Sequence, residues 1–154
     1  MQIQIEKALP RDIYEAGMIA RKWSNKELGF VSLPALKVTQ KSGGLLVAVG
    51  TMSNPRAVLG FLKFYHRKQD KNIRLDAMGL RPDYRYKGIG TELINCLKRE
   101  LAETGGQKIK LKAPINIGAN IFYSKCGFTL INTEKGRKIP LNIWEWALPT
   151  HNKG

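Results

Sequence analysis

The chain has 154 residues, 43% hydrophobic and 25% charged, a balance that excludes a disordered or collagen-like protein and suffices for one core without disulfide or metal staples. Its longest apolar run, Leu45–Val49, falls far short of the ~20 residues of a bilayer span, and Met1–Glu6 lacks the apolar block of a secretory leader. The abnormal quantity is a net charge of +14, spread as +7 over residues 1–84 and +7 over residues 85–154, a field that attracts polyanions and phosphorylated small molecules.

Gln2–Ala8 alternates apolar and polar residues, which predicts a half-buried strand. Pro10 opens a helix whose inner positions are Ile13, Ala16, Gly17, Ala20 and Trp23. After a break at Asn25–Ser32, Pro34 opens a second helix that runs to about Lys41 and stops at Gly43-Gly44. Leu45–Val49 and Val58–Tyr65 read as a hairpin across the turn Thr51–Pro55. A basic connector follows (Lys63, Arg67, Lys68, Lys71, Arg74, opposed by Asp70), then a strand Ile73–Leu80 stopped by Pro82.

There the period changes. Ile89, Leu93, Ile94, Leu97 and Leu101 form one helical stripe, ended by Gly105-Gly106. Ile109, Leu111 and Ala113 alternate with Lys108, Lys110 and Lys112, again a strand. Asn116–Lys125 predicts a helix capped by Gly127; Phe128–Asn132, a turn at Glu134–Lys138 and a strand Pro140–Leu148 complete the order. A hairpin-rich half followed by β-α-β-α-β implies a mixed α/β sheet with helices on both faces. Residues 1–148 read as one domain and 149–154 as a disordered tail. Cys96 and Cys126 have no ligand-like neighbours in the sequence, so no metal site is expected, and the thiols read as reduced in a cytoplasmic protein.

The chemistry is concentrated after the strand Ile73–Leu80. Arg85-Tyr86-Lys87-Gly88-Ile89-Gly90 opens the long helix. Its glycines let a ligand approach the main chain, and the unpaired N–H groups of a first helical turn suit a phosphate or pyrophosphate. Arg85 and Lys87 add charge. A dinucleotide fingerprint would need a third glycine where Leu93 stands, and a P-loop would need G-K-[ST]; both fail on the residues. Further on comes Asn116-x-x-Ala119-x-x-Phe122-Tyr123-x-Lys125-x-Gly127-Phe128.

Arg85–Gly90 resembles the pyrophosphate loop of the GNAT superfamily of acyl-CoA-dependent N-acyltransferases, and Asn116–Phe128 resembles that family's second conserved segment. The element order is similar over nearly all of residues 2–148. The resemblance implies a mostly antiparallel sheet of about seven strands, with two central parallel strands, Ile73–Leu80 and Lys108–Ala113, splayed around a pantetheine arm. It implies that the main chain of Met78, Gly79 and Leu80 hydrogen-bonds that arm. Arg85, Tyr86, Lys87, Gly88, Ile89, Gly90 and Thr91 would hold the pyrophosphate. Asn116 would cap its helix or touch the arm, and Tyr123 would lie near the thioester sulfur.

Acetyl-CoA is thus the implied cosubstrate, with no metal, and a primary amine the acceptor. An alkyl amine has a pKa near ~10 and must lose a proton before it attacks. Asp76 is either the base or a structural partner of Arg74; Glu145 and water are the other candidates. Tyr123 can protonate the departing thiolate. Direct attack needs no enzyme nucleophile, and no role is assigned to Cys126.

The acceptor stays open between a small-molecule or protein amine and an amine borne on a nucleic acid such as aminoacyl-tRNA. A non-enzymatic GNAT-like binding module is the third alternative. The basic connector, and Arg137 and Lys138 beside Trp144 and Trp146, leave an acidic or nucleic-acid partner open. No membrane partner is expected, and the chain is expected to be a monomer or homodimer.

Overall fold

The computed structural model describes residues 2–23, 32–51 and 56–149. The predicted break at Asn25–Ser32 (save Ser32), most of the turn Thr51–Pro55 and the tail beyond Pro149 lie outside the described residues. In chain order the elements are β1 (Ile3–Lys7), α1 (Ile13–Trp23), α2 (Leu33–Lys41), β2 (Leu45–Gly50), β3 (Ala57–His66), β4 (Ile73–Leu80), α3 (Ile89–Thr104), β5 (Lys108–Pro114), α4 (Ala119–Lys125), β6 (Thr129–Glu134) and β7 (Leu141–Ala147). The seven strands form one sheet in the order β1-β2-β3-β4-β5-β7-β6. β4 and β5 run parallel, whereas β1–β2, β2–β3, β5–β7 and β6–β7 are antiparallel. The mixed α/β sheet with flanking helices is the architecture the element order implies.

The chain divides into two compact units, residues 1–65 with 75–96 and residues 66–74 with 97–154. In the first, Ile13, Ala16, Ile19 and Ala20 of α1 and Leu36 of α2 join Leu45, Val47, Val49, Val58 and Phe61 in one core. Ser32 caps α2 by accepting from the Ala35 N–H. Gly17 lies where α1 meets α2, and a Cβ there would stand 2.6 Å from the Leu33 Cδ2, so a side chain would push Leu33 aside. Pro10 opens a 3-10 turn, Pro10–Asp12, and not yet the α-helix. Its Asp12 is 2% exposed. The carboxylate accepts from the Leu9 N–H at 2.8 Å and takes Arg56 bidentately at 3.0 and 2.9 Å. Arg56 also reaches Glu6. These bonds satisfy a charge that would otherwise be costly to bury.

In the second unit, β7 lies between β5 and β6. Ile109, Leu111 and Ala113 of β5 are buried, as are Leu97 and Leu101 of α3, Phe128, Leu141 and Trp144. Lys98 of α3 donates to the Cys126 carbonyl at 2.6 Å and sits over the Trp146 ring. Helix α4 starts at Ala119, three residues later than its periodicity predicts, because residues 115–118 form turns.

Candidate functional site

Every residue of the predicted loop segment falls in the first unit. Met78, Gly79 and Leu80 end β4 and are half-buried. Gly79 is demanded by packing, since a Cβ would stand 2.9 Å from the Phe61 ring and 3.1 Å from Ile19. The next residue, Arg81, is clamped. Its N–H donates to Leu59 O at 2.8 Å, its Nε to Val58 O at 2.7 Å, and its guanidinium pairs with Glu15 at 3.2 Å. Glu15 in turn accepts from the Val58 N–H at 2.8 Å. This Glu15–Arg81 clamp escapes linear inspection, because its members lie on α1 and just past β4.

A 3-10 turn, Pro82–Tyr84, leads into the loop. Tyr86 has φ +62° and Gly88 φ +84°. Tyr86 is fully exposed, so no packing offsets its left-handed backbone; such conformations collect at ligand sites. A Cβ on Gly88 would meet no atom within 4 Å. The glycine is therefore set by backbone conformation and faces open space. Ile89 and Gly90 are buried in the first turn of α3, which closes with Glu92 N–H donating to Gly88 O at 3.1 Å. Thr91 is exposed in the same turn. The first N–H groups of a helix have no intrahelical partner and sit at its positive dipole end. Lys87 extends over the Tyr84 ring, 5.4 Å from its centre, adding a cation beside them. The arrangement can bind an anion through its main chain.

Asp76 is exposed and its Oδ2 accepts from Lys63. The structure thus replaces Arg74 by Lys63 as the ion-pair partner of Asp76, because the cross-strand neighbour on β3 is nearer than the residue two positions along β4. Glu145 on β7 lies 3.4 Å from Lys108.

In the second unit, Asn116 is an exposed turn residue. The N-cap of α4 is Gly118, with no side-chain cap bond, so Asn116 does not cap the helix. Asn120 does the structural work instead. Its amide donates to Pro114 O at 2.7 Å and Ile117 O at 2.9 Å, and its carbonyl accepts from Trp144 Nε1 at 2.8 Å and Asn142 Nδ2 at 3.1 Å. The only linear signal for it is an amide one turn beyond Asn116.

Tyr123 is half-buried on α4. Its ring lies edge-on to Phe122 at 5.6 Å and tilted against Phe128 at 6.1 Å. Burial pushes its phenol up to about 12, and an electrostatic contribution from the neighbouring Cys126 adds to the shift. The helix end that holds it is a Schellman motif: Phe128 N–H donates to Tyr123 O, Gly127 N–H to Ser124 O, and Gly127 takes φ +91°. That motif is the physical content of Tyr123-x-Lys125-x-Gly127-Phe128. Among the described residues no group of three His, Cys, Asp or Glu could hold a metal, and no helix is long and apolar enough to cross a membrane.

The model of the GNAT family of acetyltransferases matches residues 11–128. The fold is similar to that of Ard1 from Thermoplasma volcanium, with a TM-score of 0.81 at 15% identity over 96% of this chain and 99% of that one. It is similar to the ribosomal-protein-S18-alanine N-acetyltransferase from Escherichia coli, with a TM-score of 0.78 at 16% identity over 99% and 97% of the two chains. An aminoglycoside 6′-N-acetyltransferase complexed with coenzyme A gives 0.80 at 16% identity over 99% and 100%. No curated protein sequence matches significantly.

Proposed function

The chain belongs to the GNAT family of acetyltransferases, and from that premise we propose that it moves the acetyl group of acetyl-CoA to a primary amine by direct attack in a ternary complex. The acceptor is a small-molecule or protein amine, and residues 1–148 act as one catalytic domain in the cytoplasm. The observation that carries this reading is the open, left-handed Gly88 at the start of α3, within the residues that match the family's pyrophosphate loop.

On this reading the N–H groups from Arg85 to Thr91 bind the pyrophosphate, with Arg85 and Lys87 supplying charge. Arg81 holds the loop's entry to Val58 and Glu15. The Met78–Leu80 main chain bonds the pantetheine arm, and a backbone N–H near Leu80 stabilises the tetrahedral oxyanion. Asn116, exposed in its turn, contacts the arm. Tyr123, its phenol raised to about 12, is fully protonated at neutral pH. It is therefore available as a donor to the leaving thiolate and not as the base, and the raised value makes it a weaker acid than a free phenol. Asp76 engages Lys63 through Oδ2, and its Oδ1 accepts the amine proton, directly or through water.

A second reading, in which the acceptor amine is carried by a nucleic acid, is supported by Arg74 of β4 and Lys110 of β5, which stand opposite each other in the parallel register. A thiol-release assay with acetyl-CoA across amines, peptides and aminoacyl-tRNA tests both. Release dependent on one acceptor class, lost in Gly88→Glu, is the expected result. No release with any of them, together with no acetyl-CoA binding, overturns the proposal.

A further inference from the structure

The parallel register places Arg74 of β4 opposite Lys110 of β5. The antiparallel register places Lys108, Lys110 and Lys112 opposite Ala147, Glu145 and Ile143 of β7. Registered neighbours share a face of a sheet, so Arg74 and the three lysines stand on one face. Ile109 and Leu111, 0% and 1% exposed, turn to the other.

Two of these cations are neutralised. Lys108 pairs with Glu145 at 3.4 Å and Lys112 with Glu134 at 2.5 Å. Among the described residues neither Arg74 nor Lys110 has an ion-pair or hydrogen-bond partner. Glu145, the direct neighbour of Lys110, is engaged by Lys108. Arg74 and Lys110 are both half-buried. Like charges directly opposed on adjacent strands repel, and partial burial weakens the water that would screen them. The opposed charges work against folding, and an anion laid across them would relieve the repulsion.

We propose that this face docks the sugar–phosphate backbone of a nucleic acid. The two uncompensated cations, Arg74 and Lys110, stand side by side on adjacent strands, about 4.8 Å apart, close enough for consecutive phosphates of one extended chain to contact both. A protein partner would want aromatic or large apolar anchors, but apart from Ile143 and Ala147 the β7 register places none here. Trp144 and Trp146, which the sequence leaves open as stacking groups or core residues, belong to the opposite face. Trp144 is 8% exposed and donates to Asn120, and Trp146 lies under Lys98. With no stacking platform the contact reads phosphates and not bases. This inference stands independently of acyl transfer.

The test is fluorescence anisotropy of a labelled single-stranded RNA over a salt series, with the wild type, Arg74→Gln, Lys110→Gln and Arg74→Lys. Lys135→Gln, at the exposed turn after β6, controls for net charge. The wild type binds, and the slope of log K against log salt falls in magnitude by about 1 for each glutamine substitution. Arg74→Lys and Lys135→Gln stay near the wild-type slope, and neither glutamine variant melts below wild type. The proposal is overturned if the wild type does not bind, if Lys135→Gln weakens binding as much as Lys110→Gln, or if polyaspartate competes as well as unlabelled RNA. A glutamine variant that melts lower also overturns it, since the opposed cations would then not be repelling each other.

Discussion

The loop Arg85–Gly90 and the end of α4 each turn on a left-handed glycine, for opposite reasons. At Gly127 the main chain is spent inward: its N–H and that of Phe128 close the Schellman bonds, and Trp146 stands 3.6 Å from where a Cβ would be. At Gly88 nothing stands within 4 Å, and the adjacent helix start has N–H groups with no intrahelical acceptor. The same dihedral thus marks a structural cap in one place and, in the proposed function, a ligand surface in the other. What separates them is where the hydrogen bonds go and what fills the space.

Substitution should split the two sites cleanly. The largest effect is expected from Gly88→Glu, which puts a carboxylate where a pyrophosphate would sit. Acetyl-CoA binding should fall more than 100-fold by calorimetry, while the stability cost stays at about 1–3 kcal/mol from the left-handed backbone. Undiminished binding would end the phosphate-cradle reading. Next comes Tyr123→Phe, which keeps the rings packed against Phe122 and Phe128 but removes the proton donor. Its kcat should drop about 100-fold with KM for acetyl-CoA unchanged, and an unaltered rate would remove Tyr123 from the chemistry.

Gly127→Ala should behave in the reverse sense to Gly88→Glu. It should lose about 1–2 kcal/mol in denaturant unfolding through its left-handed backbone, with acetyl-CoA affinity retained. A variant that binds weakly yet folds normally would contradict the distinction. The smallest effect is on pH dependence. Because the Tyr123 phenol is raised to about 12 in the folded state from an ordinary 10.0, its contribution to stability is intact below pH 10 and is lost as pH rises toward 12. Thermal melts from pH 7 to 11 in wild type and Tyr123→Phe should diverge only above pH 10. Divergence near neutrality would contradict the assignment.

Local physics explains what could be read without coordinates. The alternation of Lys108, Lys110 and Lys112 with Ile109, Leu111 and Ala113 is a period-two signal, and β5 buries that apolar face. Gly88 and Gly127 stand where only a left-handed residue fits, so their spacing announces both turns. Other features depend on cross-strand neighbours. Asp76 meets Lys63, thirteen residues away, and Asp12 meets Arg56, forty-four residues away; neither pairing has a linear signature. Asn116 and Asn120 differ by one helical turn, and only the position of β7 decides that Asn120 reaches Trp144 and Asn142. The pairing of Arg74 with Lys110 likewise exists only once the parallel register is known.

The central claim is that main-chain donors at the head of α3 hold the diphosphate of the thioester substrate. Hydrogen exchange of the individual amides, with and without acetyl-CoA, tests it most directly. The account predicts strong new protection confined mainly to Tyr86–Thr91 and Met78–Leu80, with the amides of Gly127 and Phe128 unchanged. Bound acetyl-CoA that leaves Tyr86–Thr91 exchanging at the free rate would contradict it.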